Sequence, residues 1–409
     1  MEEKTAVSAN VFRSRNYRLV FFGALVSELG AVLYSFAVSF YILEISGNNA
    51  FLQGLYLALC GGVLLLCTPV GGVLGDRYNK ARIMFVCDYL KGGLILAATL
   101  LMLLFPGNTA HIAILFAAGI LGNAVSGIFS PAAGALLPHI VAEDRLQQAN
   151  AYFSVRSSLQ SIFGVVLAGI LYAALPITAL FALVGLCYIL SGVSEMFIRY
   201  AHKPSAERMS LRLMMADMGD GLRYLKTQKP ILALMGAILF INFFFAPLGS
   251  NFLPYFVKTD VAGAPSYLFD RFLTPELWTS VFSMLIGISS LVGSLVLSAR
   301  PQKEKCGRST ALRLCWMAAG LVILTLGYWL LVSVNIPVNT TPMRVVERDQ
   351  LSKVTSIISI ISQGLIPIAS VLAGAVLQTL GSTLLLLFCS VGFTVTAILM
   401  LCGKETKNI

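Results

Sequence analysis

The chain has 409 residues, of which 57% are hydrophobic and 12% are charged, and its formal net charge is +10. Soluble domains carry roughly 25% charged residues, so this composition excludes an ordinary water-facing surface. The apolar residues fall in segments of the ~20 residues that cross a bilayer. These segments are about twice the ~10 residues of a barrel strand, so we predict an all-α polytopic membrane protein.

The predicted spans divide between two halves. The first half contains six, at 18–43, 51–74, 83–105, 111–137, 150–173 and 175–198. The second half contains clear spans at 231–257, 277–299, 354–377 and 379–402. We interpret the polar, basic segment 200–230 as a cytoplasmic linker between an N-terminal bundle, 1–199, and a C-terminal bundle, 231–409. A short internal repeat supports two pseudo-symmetric bundles, because Val166 to Gly169 recurs as Val371 to Gly374.

The segment 310–346 leaves the number of spans open. Two helices of ~17 residues would lie at the short limit for a bilayer, whereas one long helix fits more comfortably. Both flanks are basic, which favours two cytoplasmic ends and an even number of crossings. We expect a compressed hairpin and nominally twelve spans, with eleven as the alternative.

The positions of the cations predict the orientation of the chain. Of the 29 Lys and Arg residues, Lys258 and Arg271 alone fall in a predicted outer loop when the N-terminus is cytoplasmic. The positive charge therefore indicates topology and contact with anionic membrane lipids, and argues against nucleic-acid binding. Enzyme motifs of the HExxH, GxSxG and GxxxxGK[ST] types are absent from the sequence. We expect no enzyme activity, no cofactor and no metal.

Charged residues inside the predicted spans are the first candidate site, because each costs on the order of 3 kcal/mol near the bilayer centre. Glu28 lies near the middle of the first span, and Ser35 extends a polar stripe on the same helix face. Burial disfavours the charged carboxylate, so Glu28 is a candidate proton carrier; a structural glutamic acid bonded to a hydroxyl is the alternative.

Arg156 is the comparable interior cation, and two polar groups of the second half complete the candidate site. We expect Arg156 either to pair with Glu28 or an anionic substrate group, or to extend to the cytoplasmic headgroups. Asn242 and Gln363 are the polar groups that the second half offers to a substrate.

The segment GGVLGDRYNKAR, Gly71 to Arg82, joins the second and third predicted spans. Together with two six-helix halves and a basic central linker, it resembles the major facilitator superfamily. Three further segments are similar to the bacterial branch of macrolide-efflux, enterobactin-exporter and lysophospholipid-transporter proteins: NYRLVFFGALVSELG, PAAGALLPHIVAEDRLQQANA and NIPVNT.

The resemblance implies a cytoplasmic gate around this segment. Its small residues are expected to let the second helix approach a neighbour, while the acid meets a helix N-terminus and pairs with an arginine. The implied gate residues are Gly72, Gly75, Asp76, Arg77 and Arg82, with Asp88, Lys91 and Arg145 as either further members or interfacial anchors. Asn79 replaces the usual glycine of the family, and we expect it to adopt the left-handed turn conformation.

The resemblance also implies a function. We expect a monomeric secondary transporter, of the antiporter or multidrug type, in the bacterial inner membrane. It would move an amphipathic drug, lipid or siderophore by alternating access, as efflux coupled to protons through Glu28. Val165 occupies the usual proline position of the antiporter signature, which weakens the case for proton antiport. The alternatives are a non-transporting sensor or scaffold, and a lysophospholipid flippase without proton coupling.

Overall fold

The computed structural model describes residues 11–141, 145–199, 223, 229–261, 274–298 and 363–402. Within these ranges the regular elements are helices, and eight of them are long and apolar enough to cross a membrane. The all-α membrane fold predicted from the sequence is therefore confirmed. The ambiguous segment 310–346 and most of the linker 200–230 lie outside the described residues.

The helices of the first half follow the six predicted spans, with ends that differ by a few residues. The fifth span consists of α5 and α6, joined through the π-helical turn Gln160–Gly164. In chain order the helices are α1 Arg15–Ile45, α2 Ala50–Arg77, α3 Lys80–Leu104, α4 Asn108–Ile140, α5 Leu146–Leu159, α6 Val165–Ala174 and α7 Ile177–Met196.

The second half continues with helices that are interrupted more often. Two π-helical turns, Leu248–Phe252 and Val257–Val261, flank the short α9. The helices are α8 Lys229–Pro247, α9 Leu253–Phe256, α10 Pro275–Ser298 and α11 Ile366–Cys402. Gly381 interrupts α11 with φ of 82°, a left-handed conformation that glycine adopts without a steric cost. This break lies slightly beyond the predicted one between 377 and 379.

Packing divides the chain into two compact units. The first contains Met1–Ala37 and Leu66–Leu211, and the second contains Val38–Leu65 and Arg212–Ile409. The C-terminal part of α1 and the N-terminal part of α2 thus pack with helices of the second half, although the predicted bundle boundaries follow the chain at 199 and 231.

The first unit is held together by close helix contacts at glycines. A Cβ atom added to Gly71 would lie 2.6 Å from the Gly127 carbonyl oxygen, so α2 meets α4 nearly backbone to backbone. One added to Gly92 would lie 2.9 Å from the Gly185 carbonyl oxygen, which shows the same approach of α3 to α7. Small residues permit such contacts between membrane helices.

The turn between α2 and α3 corrects one expectation. Asn79 has φ of −61° and ψ of 116°, which is extended rather than left-handed. Its side-chain oxygen accepts a hydrogen bond of 3.2 Å from the Arg82 backbone N–H, so Asn79 is the N-cap of α3. Asparagine suits this position because its short side chain satisfies a helix donor that has no intrahelical partner.

The second unit contains an analogous glycine crossing, between α2 and α11. A Cβ atom on Gly54 would meet the Ser370 carbonyl oxygen, and one on Gly374 would lie 2.6 Å from the Ala50 carbonyl oxygen. The backbone N–H of Ala50 donates a hydrogen bond of 2.8 Å to Gln378 Oε1. Asn251 adds α8 and α9 to the contact by donating to the Ser370 carbonyl at 3.2 Å.

Candidate functional site

Glu28 lies near the middle of α1, and Arg156 lies in the last turn of α5, just before the π-helical turn that continues the fifth span. At a rise of about 1.5 Å per residue, Glu28 is about 20 Å along α1 from Arg15, and Arg156 is about 15 Å along α5 from Leu146. The side chain of Arg156 is 9% exposed and that of Glu28 is 38% exposed. The cation is therefore sealed inside the first unit while the acid keeps an open face.

The two side chains form an ion pair. Arg156 Nη2 donates a hydrogen bond of 2.5 Å to Glu28 Oε1. Of the arrangements expected from the sequence, the structure shows this pairing and not an arginine extended to the headgroups. The Nε and Nη1 groups of Arg156 are buried and hydrogen-bond to no described residue. Since a guanidinium has five N–H donors, the pair leaves donors that an oxygen-bearing ligand can use.

Aromatic rings surround the guanidinium. Its carbon lies 4.6 Å from the centre of the Phe153 ring and 5.9 Å from that of Phe21. These two rings stack at 6.1 Å, and Tyr17 lies against Phe153 at 5.7 Å. Tyr17 also donates a hydrogen bond of 3.1 Å to the Ala149 carbonyl, which ties α1 to α5. The rings stabilise the cation through their faces and exclude water from it.

A π-helical turn follows Arg156 by about one helical turn. This turn, Gln160–Gly164, contains Gly164, where an added Cβ would lie 3.5 Å from Val32 and 3.7 Å from Leu29 on α1. It therefore brings the fifth span against α1 next to Glu28. Turns of this kind occur frequently at functional sites, because they rotate the side chains before and after them.

The other predicted substrate residues are less informative. Ser35 is exposed on α1, about two turns beyond Glu28. Asn242 is half-buried on α8, and Gln363 is exposed just before α11; both belong to the second unit. Their proposed role in substrate binding stays a prediction.

The predicted cytoplasmic gate is described only in part. Gly75 is buried and Gly72 is half-buried near the end of α2, while the side chains of Asp76 and Arg77 lie outside the described residues. Arg82 is exposed, and Arg145 is half-buried where α5 begins. The latch itself therefore stays a prediction.

Asp88 and Lys91 are buried between α3 and α7, with exposures of 0% and 8%. Lys91 Nζ lies 4.9 Å above the Phe129 ring and 5.3 Å above the Tyr188 ring, so it does not reach for the headgroups. For Asp88 and Lys91 this burial argues against the alternative of interfacial anchors, and their membership of the gate stays a prediction. The reason is the close packing of α3 on α7, which turns this face of α3 inward.

Two charged residues in the described part of the chain make contacts that were not predicted from the sequence. Glu195, in the last turn of α7, is 0% exposed and faces Asp88 and Lys91. An acid inside the predicted span 175–198 was the available signal.

Glu44, at the end of α1, is the second of these residues and lies 3.8 Å from Lys258 Nζ. Lys258 was assigned to an outer loop, but it belongs to the π-helical turn after α9. Nowhere in the described ranges do three His, Cys, Asp or Glu side chains cluster as metal ligands would.

Comparison with known proteins agrees with this architecture. A similar relative is the uncharacterised MFS-type transporter YkuC of Bacillus subtilis, 25% identical over 78% of this chain and 72% of its own length. Macrolide efflux protein A of Streptococcus pyogenes is 24% identical over 60% of this chain and 62% of its own. The enterobactin exporter EntS of Salmonella typhi is 27% identical over 39% and 37%.

Solved structures share the fold at low identity. A bacterial homologue of the iron transporter ferroportin, in its inward-facing state, has a TM-score of 0.72 at 17% identity, covering 97% of this chain and 100% of that one. The nucleoside transporter NupG has a TM-score of 0.74 at 9% identity, covering 94% and 99%. The family model described as Major Facilitator Superfamily matches residues 20–343. With apolar helices, glycine crossings and a buried ion pair in place, this match shows that the chain belongs to the Major Facilitator Superfamily.

Proposed function

We propose that this protein is a secondary active transporter that exports an amphipathic small molecule across the bacterial inner membrane by alternating access. In this proposal Glu28 and Arg156 form the binding and coupling pair, the N-terminus is cytoplasmic, and one chain is sufficient. The observation that carries the proposal is the ion pair of 2.5 Å between Glu28, near the middle of α1, and the buried Arg156 of α5. A charge pair held between apolar membrane helices is costly, and such pairs mark transport pathways in membrane proteins.

The pair supplies two states that differ in charge. With Glu28 ionised, Arg156 is neutralised by its partner. In that state the half-exposed carboxylate can also accept a donor group of the substrate, while the unused Nε and Nη1 donors of Arg156 bind an oxygen-bearing group. A proton on Glu28 displaces the donor group, so proton and substrate compete for the carboxylate, as export by antiport requires. Coupling requires that substrate affinity differ between the two states, and this exchange of partners provides the difference.

The surroundings favour an amphipathic substrate. Phe21 and Phe153 offer aromatic surface beside a small number of polar groups, a combination typical of sites for largely apolar ligands. The names of two relatives point the same way, because one is a macrolide efflux protein and the other an enterobactin exporter. Both also support outward transport.

The proposal includes a gate near each end of α2. At the cytoplasmic end, Asp76 and Arg77 would time closure by binding the end of a neighbouring helix. At the other end, we name the packing of Ala50 to Gly54 against Ser370 to Gln378 the outer gate. Helix α2 therefore takes part in both movements of an alternating-access cycle.

The test begins with a thermal-shift screen of the purified chain against a macrolide, a catecholate siderophore and a lysophospholipid. Transport of the ligand that binds is then measured in proteoliposomes with an imposed pH gradient. We expect gradient-driven flux that falls about tenfold or more in Glu28→Gln, equivalent to at least about 1.4 kcal/mol. Glu276→Gln is the matched control, because it makes the same chemical change at an acid that is not part of the ion pair, in the first turn of α10.

Three results would contradict the proposal. Full flux in Glu28→Gln would remove the coupling role of this acid. Flux of a lysophospholipid that ignores the pH gradient would favour a flippase without proton coupling. Binding without flux in any liposome preparation would favour a sensor or scaffold.

A further inference from the structure

We propose that Asp88, Lys91 and Glu195 form a proton-binding site inside the first unit, separate from the Glu28–Arg156 pair. The site is a buried cluster between α3 and α7, and it binds one proton that exchanges with water at the cytoplasmic end of these helices. The inference does not depend on the identity of the transported molecule.

The cluster is assembled by three helices. Asp88 lies about 12 Å along α3 from Lys80, with Lys91 one turn further, and Glu195 is in the last turn of α7. On α1, a Cβ atom added to Gly23 would lie 3.5 Å from Glu195 Cγ and 3.5 Å from Ser191 Oγ. Since Gly23 has no side chain, α1 covers the cluster without filling it.

The two acids are fully buried, and within the described part of the chain their carboxyl oxygens have few possible hydrogen-bond donors. Asp88 and Glu195 are each 0% exposed, and all four of their carboxyl oxygens are buried. The hydroxyl of Ser191 faces Asp88 and is placed to donate a hydrogen bond to this carboxyl group. A buried acceptor that is left unsatisfied costs about 1–3 kcal/mol, and more when it is charged. Acceptors concentrated in this way favour a bound proton, because it turns one carboxyl oxygen into a donor for another.

A count of charges identifies the ligand. Two carboxylates and one ammonium would leave one net negative charge in a site closed to water, and an uncompensated buried charge is prohibitively costly. One bound proton makes the cluster neutral. The faces of the Phe129 and Tyr188 rings stabilise the Lys91 ammonium, so the proton resides on a carboxyl group. The two acids share it, and the pair titrates as one unit.

The groups around the cluster do not alter this count. Cys87 on α3 and Tyr188 on α7 face it, and Tyr34 on α1 lies near Tyr188. A thiol and two phenols are neutral in such surroundings, and α4 contributes the ring of Phe129. A divalent metal is disfavoured, because no set of three acidic, His or Cys ligands is formed within the described residues.

The test uses infrared difference spectroscopy on the full-length protein in lipid, recorded between about pH 5 and about pH 9. The upper limit lies well above the pH range in which carboxyl groups usually titrate. The readout is the C=O band of protonated carboxylic acids, which shifts in D₂O when the proton exchanges. We expect one such group near pH 7 in the Glu28→Gln background, which removes the contribution of the other site.

The variants follow from the same charge count. Asp88→Asn and Glu195→Gln should each abolish the band completely, because either change leaves one carboxylate balanced by Lys91. Lys91→Met should instead increase the band about twofold, since both acids must then be protonated. Each variant is first shown to be monodisperse in detergent, and if one of the two acid variants fails to fold, the other makes the same prediction.

Four outcomes would overturn the inference. They are absence of the band, a band that survives both acid replacements, a band that neither titrates nor shifts in D₂O, and a band that NaCl but not choline chloride removes. The last would make the cluster a sodium site. Since the readout needs no substrate, its failure is distinct from a failure of the transport proposal.

Discussion

At the scale of single residues, the guanidinium of Arg156 combines an ion pair with donors that have no described acceptor. Its partner Glu28 keeps 38% of its side chain exposed, so solvent screens part of the attraction. Exposed pairs contribute about 0–1 kcal/mol, whereas breaking a fully buried pair costs about 3–5 kcal/mol. The Glu28–Arg156 pair should lie between these limits.

A double-mutant cycle measures this contribution. We expect Arg156→Gln alone to destabilise the protein, because Glu28 is left with an unpaired charge, and Glu28→Gln to restore part of the loss. The coupling free energy should be roughly 1–2 kcal/mol, determined from equilibrium unfolding in mixed micelles. A coupling free energy near zero would mean that the ion pair does not contribute to stability. Ser35→Ala serves as a control on the same helix.

The residues of the candidate site differ in how far sequence alone could identify them. Glu28 stands out because it interrupts a long apolar run, and Arg156 because it is a cation inside a predicted span. Glu195 lies in the last turn of its span, where an acid at headgroup level would be ordinary. Its burial arises from the packing of α3 on α7, a tertiary effect that hydropathy does not contain. The extended conformation of Asn79 likewise depends on its cap to α3.

At the scale of helices, glycines determine which elements meet. Gly71 on α2 lies against the backbone of α4, with Ile128 Cα 2.6 Å from the position of an added Cβ. Gly62, on the same helix, has no atom within 4 Å of that position. The two glycines are chemically identical but have different surroundings, which makes them a matched pair.

Substitution by alanine should distinguish the closely packed Gly71 from Gly62, which has open space around it. Gly71→Ala should destabilise the protein by about 1–3 kcal/mol or more, because α2 and α4 must move apart to admit the methyl group. Gly62→Ala should be neutral or stabilise by about 0.5–1 kcal/mol, since alanine favours the helix. Thermal unfolding in detergent compares the variants, and equal melting temperatures would contradict the observed packing.

Helix positions were predictable where their physical cause is local. An apolar segment that is long enough to cross a bilayer forms a helix, so the first-half helices begin and end near their predicted bounds. The π-helical turns at Gln160–Gly164, Leu248–Phe252 and Val257–Val261 were not predicted. Such turns reflect how neighbouring helices fit together, and their residues carry no distinctive local pattern.

At the scale of the whole molecule, the two packing units do not coincide with the two halves of the sequence, because one segment of the first half belongs to the second unit. The segment Val38–Leu65, which comes from the first half of the chain, belongs to the second unit. Ala50 to Gly54, one side of the proposed outer gate, lies in this segment. Lys258 Nζ contacts the same segment, 3.8 Å from Glu44 and 3.5 Å from the Phe40 carbonyl oxygen. In the proposed alternating-access cycle these contacts would open once per turnover, and Asp76 would act at the opposite end of α2.

Variants near the two ends of α2 test this cycle. Gly54→Leu should disfavour closure of the outer gate by about 1–3 kcal/mol, because its side chain would meet Ser370 and Gly374. That cost lowers the population of the closed state, and the flux through it, by about 5–150-fold. Asp76→Ala should also slow flux, by weakening the cytoplasmic latch.

Substrate binding, measured by thermal shift, should persist in both variants, since neither residue belongs to the Glu28–Arg156 pair. Gly62→Leu is the control on the same helix, because an added Cβ there has open space around it. Full flux in Gly54→Leu would mean that the outer gate does not open and close during transport. Full flux in Asp76→Ala would remove the latch, and loss of binding in either variant would show that the gates and the binding site cannot be separated.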